Sequence, residues 1–310
     1  MEIRNLVTEI RDYINSPRLQ SNLLKDKISW NKLCSSLDVL GDTELAIDEY
    51  LIEDEPSGIG EKYLLLYGIL QILFVQQDAT RNLAEALNIK YESDTLLDEI
   101  RKIRNNSIGH PTKRGRGKGD AFNFIVRASI CSKGFTLMTT YPKKKKDISK
   151  HVNVVELINT QKTKIKEILT QVINILKENE MNHRKKHREN KLIDCFPLTL
   201  NYYFEKIYET LNGNMPNEFG LIHIKFISES IDKFKKELAI RGIQDSYDLL
   251  NYHLDLIDYP IKMVTDYFSK DIQSRLNDKD INIFVFFIEK QVNEIIDMAK
   301  EIDAEYSSDL

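Results

Sequence analysis

Residues 61–88 restrict the possible folds of this chain more than any other segment. They read EKYLLLYGILQILFVQQDATRNLAEALN. The first half is apolar on nearly all sides, which is typical of a helix buried against several neighbours. The second half becomes amphipathic, with apolar residues three and four positions apart. A helix of this kind needs partners, so other elements of the chain must cover it.

The composition favours helices along the rest of the chain. Only 12 Gly and 7 Pro occur in 310 residues, and 42% of the residues are apolar. These values exclude a disordered or collagen-like chain. We therefore predict a mostly α protein. Its three cysteines (Cys34, Cys131 and Cys195) are too few and too far apart for a disulfide framework or a cysteine-rich metal site.

The sequence divides into three predicted parts. Residues 1–60 are expected to form N-terminal helices and an acidic loop, because acids are concentrated from 42 to 61 around a Pro-Ser-Gly turn. Residues 61–182 are expected to form a helical bundle. Residues 190–310 are expected to form an all-helical C-terminal domain.

A β-hairpin at about 121–141 is predicted to interrupt the bundle. The sequence there is rich in β-branched and aromatic residues around a Gly-containing turn. Pro142 and the lysines after it end this pattern, and helical spacing resumes at 148. Before the hairpin, a helix is expected over 94–108, ended by Gly109 in a left-handed conformation.

Charge is segregated along the chain. The formal net charge is only -4, which by itself argues against a polyanionic partner. Three basic islands nevertheless occur, at 101–118, 143–150 and 184–191. The first contains seven Lys and Arg and no acid. Its loop residues Lys113, Arg114, Arg116 and Lys118 are candidate RNA-binding residues.

The same island holds a candidate catalytic set, Arg104, Asn105 and His110. Gly109 would let the chain turn so that His110 folds back beside the helix end. A guanidinium can clamp a phosphate and stabilise charge that develops on it. An imidazole with a pKa near neutrality can move the proton of a ribose hydroxyl. This chemistry requires neither a metal nor a cofactor.

The block RNNSIGHP, at the end of a helix that follows a long buried helix, resembles the motif of HEPN domains. That family has an Arg, a polar residue and a His four to six positions later, on an up-and-down helical bundle. Arg104, Asn105 and His110 match these positions. The resemblance also implies a polar residue from the first core helix, either Asp78 or Gln77 beside it. The predicted hairpin departs from the minimal family pattern.

The resemblance implies a cytoplasmic endoribonuclease of a toxin–antitoxin or antiviral defence type. Such enzymes act as homodimers without a metal, and an antitoxin or regulatory protein is a further expected partner. A non-catalytic HEPN module that binds RNA or a protein is the alternative, and a helical scaffold with a chance motif is a third. The hairpin could cover the site, bind RNA or build the dimer.

Two further features bear on location and metals. The N-terminus lacks the apolar core of a signal peptide, and no run reaches the length needed to span a bilayer. We therefore expect a cytoplasmic protein with no membrane partner. His183 and His187 have a metal-ligand spacing, but they stand among Arg and Lys and predict a solvated basic hinge.

Overall fold

The chain, seen in a computed structural model, is mostly helical with a small antiparallel sheet. The predicted mostly α class is therefore confirmed. The structure describes residues 2–53, 56–109, 112, 121–142, 145–269 and 276–308. Two compact units are present: Met1–Asn15 with Leu23–Leu176, and Ser16–Asn22 with Lys177–Leu310. These divisions do not coincide with the predicted parts 1–60, 61–182 and 190–310.

The first unit contains the long helices that precede the sheet. They are α1 (Ile3–Ile14), α3 (Lys27–Ile52), α4 (Ile59–Ala86) and α5 (Thr95–Arg104), while α2 (Pro17–Leu24) lies at the division between the units. The predicted acidic loop is wrong for residues 42–52, which belong to α3. The physical reason is that Glu44 points inward, where its Oε2 lies 3.1 Å from Lys162 Nζ.

The sheet has three antiparallel strands in the order β1-β2-β3. The strands are β1 (Phe122–Ile125), β2 (Gly134–Tyr141) and β3 (Lys146–Asn153). The predicted hairpin is confirmed as β1 and β2. The expectation that a helix resumes at 148 is wrong, because β3 continues to Asn153 and α6 (Val154–His187) begins after it. Only Val152 of β3 is buried, so this strand lacks the alternation that marks strands in sequence.

One apolar core joins the inner face of the sheet to the helices. It comprises Ile47, Leu66, Ile69, Leu70, Leu73, Leu97, Ile100, Ile103, Ile130, Phe135, Leu137, Val152, Val154 and Ile158. On α5, Leu97 is buried in this core, whereas the adjacent Leu96 is exposed.

Helix α4 meets the length and hydropathy criterion for a membrane span, and it alone does so among the described residues. A core helix can meet the same criterion, but only 28% of the qualifying window is buried within the fold. The expected burial of the first half of this helix on nearly all sides is therefore wrong for Leu64 and Tyr67, which are exposed. The prediction that no segment reaches this length is therefore wrong for α4. Gln76 and Gln77 of this helix make buried hydrogen bonds inside the unit.

A chain of buried polar groups crosses the first unit. Gln161 Nε2 donates to Gln76 Oε1 at 2.8 Å, and Gln161 Oε1 accepts from Gln77 Nε2 at 2.7 Å. Gln76 Nε2 donates in turn to Glu44 Oε1 at 2.7 Å, and Glu44 pairs with Lys162. Buried amides are stable only when partnered. This chain of hydrogen bonds therefore sets the relative positions of α3, α4 and α6 within the unit.

Replacement of Gln161 by Leu tests the polar chain. We expect Gln161→Leu to lower the free energy of unfolding by about 1–3 kcal/mol, because it removes the donor to the buried Gln76 Oε1 and one of the two acceptors of Gln77 Nε2. Urea denaturation would measure the change. Gln171→Leu, at an exposed position of the same helix, is the matched control. Equal stabilities for the two variants would contradict a structural role for Gln161.

The second unit is a helical assembly with its own core. Its helices are α7 (Leu200–Leu211), α8 (Asn217–Arg241), α9 (Asp248–Ser269) and α10 (Asp278–Ser307). Helix α8 ends at Gly242, which has a φ of 66°. Ile243 N then donates to Leu238 O at 3.0 Å. This is the bond pattern of a helix closed by a left-handed glycine.

The predicted solvated hinge around His183 and His187 is wrong. Both histidines lie on the last turns of α6, and His187 is buried. His183 Nε2 is 2.9 Å from the hydroxyl of Tyr306, and the two imidazole centroids are 4.9 Å apart. The intervening Lys185 and Lys186 are exposed. The helix therefore separates a polar interior face from a basic exterior face, a distinction that residue counting alone does not reveal.

Acid should weaken the second unit through His183. Burial lowers the pKa of this ring from 6.5 to about 4, and the charges of Arg18 and His187 act in the same direction. The folded state therefore favours the neutral ring. The neutral ring's contribution to the free energy of unfolding is complete above pH 6.5 and is lost as the pH falls from 6.5 towards 4.

We expect His183→Gln to reduce this pH dependence, because glutamine can still bond to Tyr306 but does not titrate. Free energies of unfolding would be compared at neutral pH and at pH 5 for both proteins. The wild type should lose more stability than the variant. Equal losses would show that His183 is not the group responsible.

Candidate functional site

The candidate site begins where α5 ends. Asp94 caps the helix by accepting a hydrogen bond from Leu96 N at 2.8 Å. The regular helix stops at Arg104, and Asn105–Gly109 continue as a π-helical turn. The predicted helical extent over 94–108 agrees with α5 and this turn, but the prediction of a left-handed Gly109 is wrong. Among the described glycines, positive φ occurs at Gly213 and Gly242. Single π-helical turns occur frequently at functional sites.

Neutral oxygens hold the guanidinium of Arg104. Its Nε and Nη2 donate to Gln71 Oε1 at 3.2 and 2.6 Å, and Nη1 donates to Asn105 Oδ1 at 3.0 Å. The Arg104 Cζ lies 4.2 Å from the ring centroid of Phe74. No carboxylate in the described part of the chain forms an ion pair with Arg104. Its positive charge is thus oriented, and none of the described carboxylates neutralises it.

Arg101 stacks on the same ring but has a counter-ion. Its Cζ is 4.3 Å from the Phe74 centroid, and its Nη2 donates to Asp78 Oδ1 at 2.7 Å. Arg101 Nε also donates to Gln77 Oε1 at 3.3 Å, which joins it to the buried polar chain. Two guanidiniums therefore share one aromatic ring, and of the two only Arg101 has a counter-ion within the described part of the chain.

Asp78, one of the two polar candidates on the first core helix, is paired with Arg101. Its Oδ1 pairs with Arg101, and also with Arg81 Nη2 at 3.3 Å. Gln71 is the α4 side chain that accepts hydrogen bonds from Arg104, and Gln77 bonds to Arg101. Asp78 therefore belongs to the site through Arg101.

Sequence reasoning missed Gln71 and Phe74. Both precede Asp78 on α4, by seven and four residues. Positions with this spacing lie on one face of a helix. The helix face that contains Asp78, the predicted polar position, therefore also carries Gln71 and Phe74.

The backbone at Gly109 lies against the guanidinium of Arg104. A Cβ at this position would be 2.7 Å from Arg104 Nη1 and 3.3 Å from Asn105 Oδ1. The residue must therefore be a glycine if Arg104 is to keep its place. His110 follows Gly109 in the sequence and lies outside the described residues. The predicted RNA-binding residues Lys113, Arg114, Arg116 and Lys118 also lie outside them.

Two buried polar groups near the turn have no hydrogen-bond partner among the described residues. They are Ser107 Oγ in the π-helical turn and Asn123 Nδ2 on β1. The two elements contact one another. Buried polar groups without partners are uncommon in proteins, so the junction of the turn with β1 is a locally unsatisfied polar region.

One acid of the predicted acidic segment has partners away from Arg104, and no metal-binding cluster occurs among the described residues. Asp48, in the predicted acidic segment, lies 3.0 Å from Lys162 Nζ and 3.2 Å from Arg4 Nη2. Within the described ranges, no group of three or more His, Cys, Asp or Glu could hold a metal ion. The described side chains around Arg104 offer hydrogen bonds and positive charge.

Comparison with protein-family models, curated proteins and solved structures finds no match for this chain.

The contact at Gly109 leads to a structural prediction. Gly109→Ala should displace the Arg104 guanidinium from Gln71, because the added methyl group overlaps Nη1. Stability should change by no more than about 0.5 kcal/mol, since the clash is with the mobile end of a side chain. The Arg104 Nε–H signal in an NMR spectrum would report the displacement.

Gly68→Ala is the matched control, because a Cβ there meets nothing within 4 Å. It should leave the Arg104 signal in place. An unchanged signal in Gly109→Ala would contradict the close approach of the two residues.

Proposed function

We propose that this protein is a HEPN-type, metal-independent endoribonuclease. The observation that carries the proposal is the guanidinium of Arg104, which has no counter-ion among the described residues. It is held by Gln71 and Asn105, stacked on Phe74, and touched by the backbone that leads into His110. The family resemblance of the Arg-Asn-x4-His motif supports the same conclusion.

Arg104 is suited to clamp a phosphodiester. A guanidinium has five N–H donors, and three are directed to Gln71 and Asn105. One donor remains on each terminal nitrogen, and a pair of this kind matches two oxygens of a phosphate. The fixed side chain needs little reorganisation when charge develops on the phosphate in the transition state.

His110 is assigned to proton transfer. In the proposed reaction the ribose 2′-oxygen attacks phosphorus and loses its proton to an imidazole. The bond from phosphorus to the 5′-oxygen breaks as the new bond forms, and a second acid protonates the leaving oxygen. The products are a cyclic phosphate and a 5′-hydroxyl. A homodimer would supply both imidazoles, with one His110 from each copy.

The other site residues are assigned positioning roles. Asn105 fixes Nη1 of Arg104. Asp78 neutralises Arg101, so that Phe74 can carry two guanidiniums without two free charges. Lys113, Arg114, Arg116 and Lys118 are proposed to bind the RNA backbone. The proposal includes a cytoplasmic location, a toxin or antiviral role and a regulatory partner protein.

Cleavage of RNA in the presence of EDTA tests the assignment. We expect purified wild type to release fragments with cyclic phosphate ends, and Arg104→Ala to reduce the rate at least about 100-fold. His110→Ala should reduce it by a similar or larger factor. Arg11→Ala is the control, because Arg11 pairs on the surface of the same unit with Asp38. Full cleavage by the Arg104→Ala, His110→Ala double variant would refute the proposal.

The non-catalytic alternative predicts a different pattern. RNA or a partner protein would then bind to the wild type without cleavage, and His110→Ala would leave binding unchanged. Binding of RNA should still weaken in Arg104→Ala and with added salt, because phosphate contacts release counter-ions.

A further inference from the structure

The outer face of the sheet is open and carries aromatic side chains. Alternate residues of a strand point to opposite faces, and the core takes Phe135 and Leu137 of β2. The other face therefore carries Phe122 and Phe124, paired in register with Thr140 and Met138. Phe124 is 50% exposed. An aromatic ring in this position is available to a planar ligand.

Hydrogen-bonding side chains lie beside the rings on the same face. Thr136 and Met138 pair with His151 and Ser149 of β3. His151 and Ser149 are exposed, and Thr136 is half-buried. Exposed aromatic rings bordered by small polar groups are typical of sheet surfaces that bind unpaired bases, since stacking is combined with hydrogen bonds to base edges.

The sheet segment is strongly basic. Residues 121–153 contain seven Lys and Arg and one acid, Asp147. Arg127 and Lys133 are exposed at one end of the sheet, and Lys145 and Lys146 are exposed at the other. Since the whole chain has a net charge of -4, the positive charge is concentrated here, in the preceding island at 101–118 and in the island at 184–191. A polyanion is the complementary partner.

The aromatic strand adjoins the candidate active site. β1 is an edge strand of the sheet, and it contacts the π-helical turn Asn105–Gly109. This is the turn whose glycine touches Arg104. A ligand that lies on β1 is therefore next to the turn that ends beside Arg104, the proposed phosphate clamp.

We propose that the outer face of β1 and β2 is a platform for single-stranded RNA, on which Phe124 stacks with an unpaired base near the phosphate held by Arg104. The substrate class rests on the proposed function. The platform itself is a binding site and does not require the cleavage chemistry. A duplex would be excluded, because its bases are already stacked on one another and cannot lie on the ring.

Binding of a fluorescent single-stranded oligonucleotide with 2′-O-methyl sugars tests the platform. This probe lacks the attacking hydroxyl, so binding is measured apart from cleavage. We expect Phe124→Ala to weaken binding about 10-fold, the loss typical of one base–aromatic stack. Phe124→Tyr should restore it, because the ring is retained. Phe286→Ala, at a 63% exposed phenylalanine of the second unit, should bind like the wild type.

Three results would overturn the proposal: equal affinity in Phe124→Ala and wild type, equal loss in Phe286→Ala, or preference for a duplex of the same sequence. Failure of the proposed nuclease function gives a different pattern. In that case unmodified RNA stays intact, yet Phe124→Ala still binds the probe more weakly than Phe124→Tyr does. Thermal melting of each variant confirms that the fold is retained.

Discussion

The arrangement of the candidate site depends on one constraint: the Arg104 guanidinium must be held in the first unit. Arg104 has no counter-ion among the described residues, so neutral oxygens and an aromatic ring must hold it. Helix α4 supplies most of this support, through Gln71 and Phe74. The same helix buries Leu70 and Leu73 in the core. Packing of the core and orientation of the guanidinium are therefore set by one element.

The buried glutamines extend this dependence to distant parts of the chain. Gln77 joins Arg101 to Gln161 of α6, and Gln76 joins Gln161 to Glu44 of α3. Each buried amide costs free energy unless it is partnered, so the helices must keep one register to satisfy all of them. Such a network stabilises one particular arrangement of the three helices. It ends at the guanidinium of Arg101, which shares the Phe74 ring with Arg104.

The sheet adds a second surface to the first unit. Its inner face completes the core around Phe135 and Leu137, and its outer face leaves Phe124 exposed. The hairpin had three open roles on sequence grounds: cover, RNA surface or dimer contact. Its position against the π-helical turn and its positive charge favour the RNA surface. In the proposed function, the helices hold the reacting phosphate and the sheet holds the adjoining bases.

The sequence by itself determined the helical class, the hairpin of β1 and β2, and the position of Arg104 and Asn105 at a helix end. These features arise from local periodicity, turn residues and residue order. Only the tertiary structure decided that β3 is a strand, since Lys146–Asn153 has no apolar alternation and depends on pairing with β2. It also decided that Gln71 binds Arg104 and that Asp78 binds Arg101. Such contacts join residues 33 and 23 positions apart, and no local pattern encodes which partner a helix presents to its neighbour.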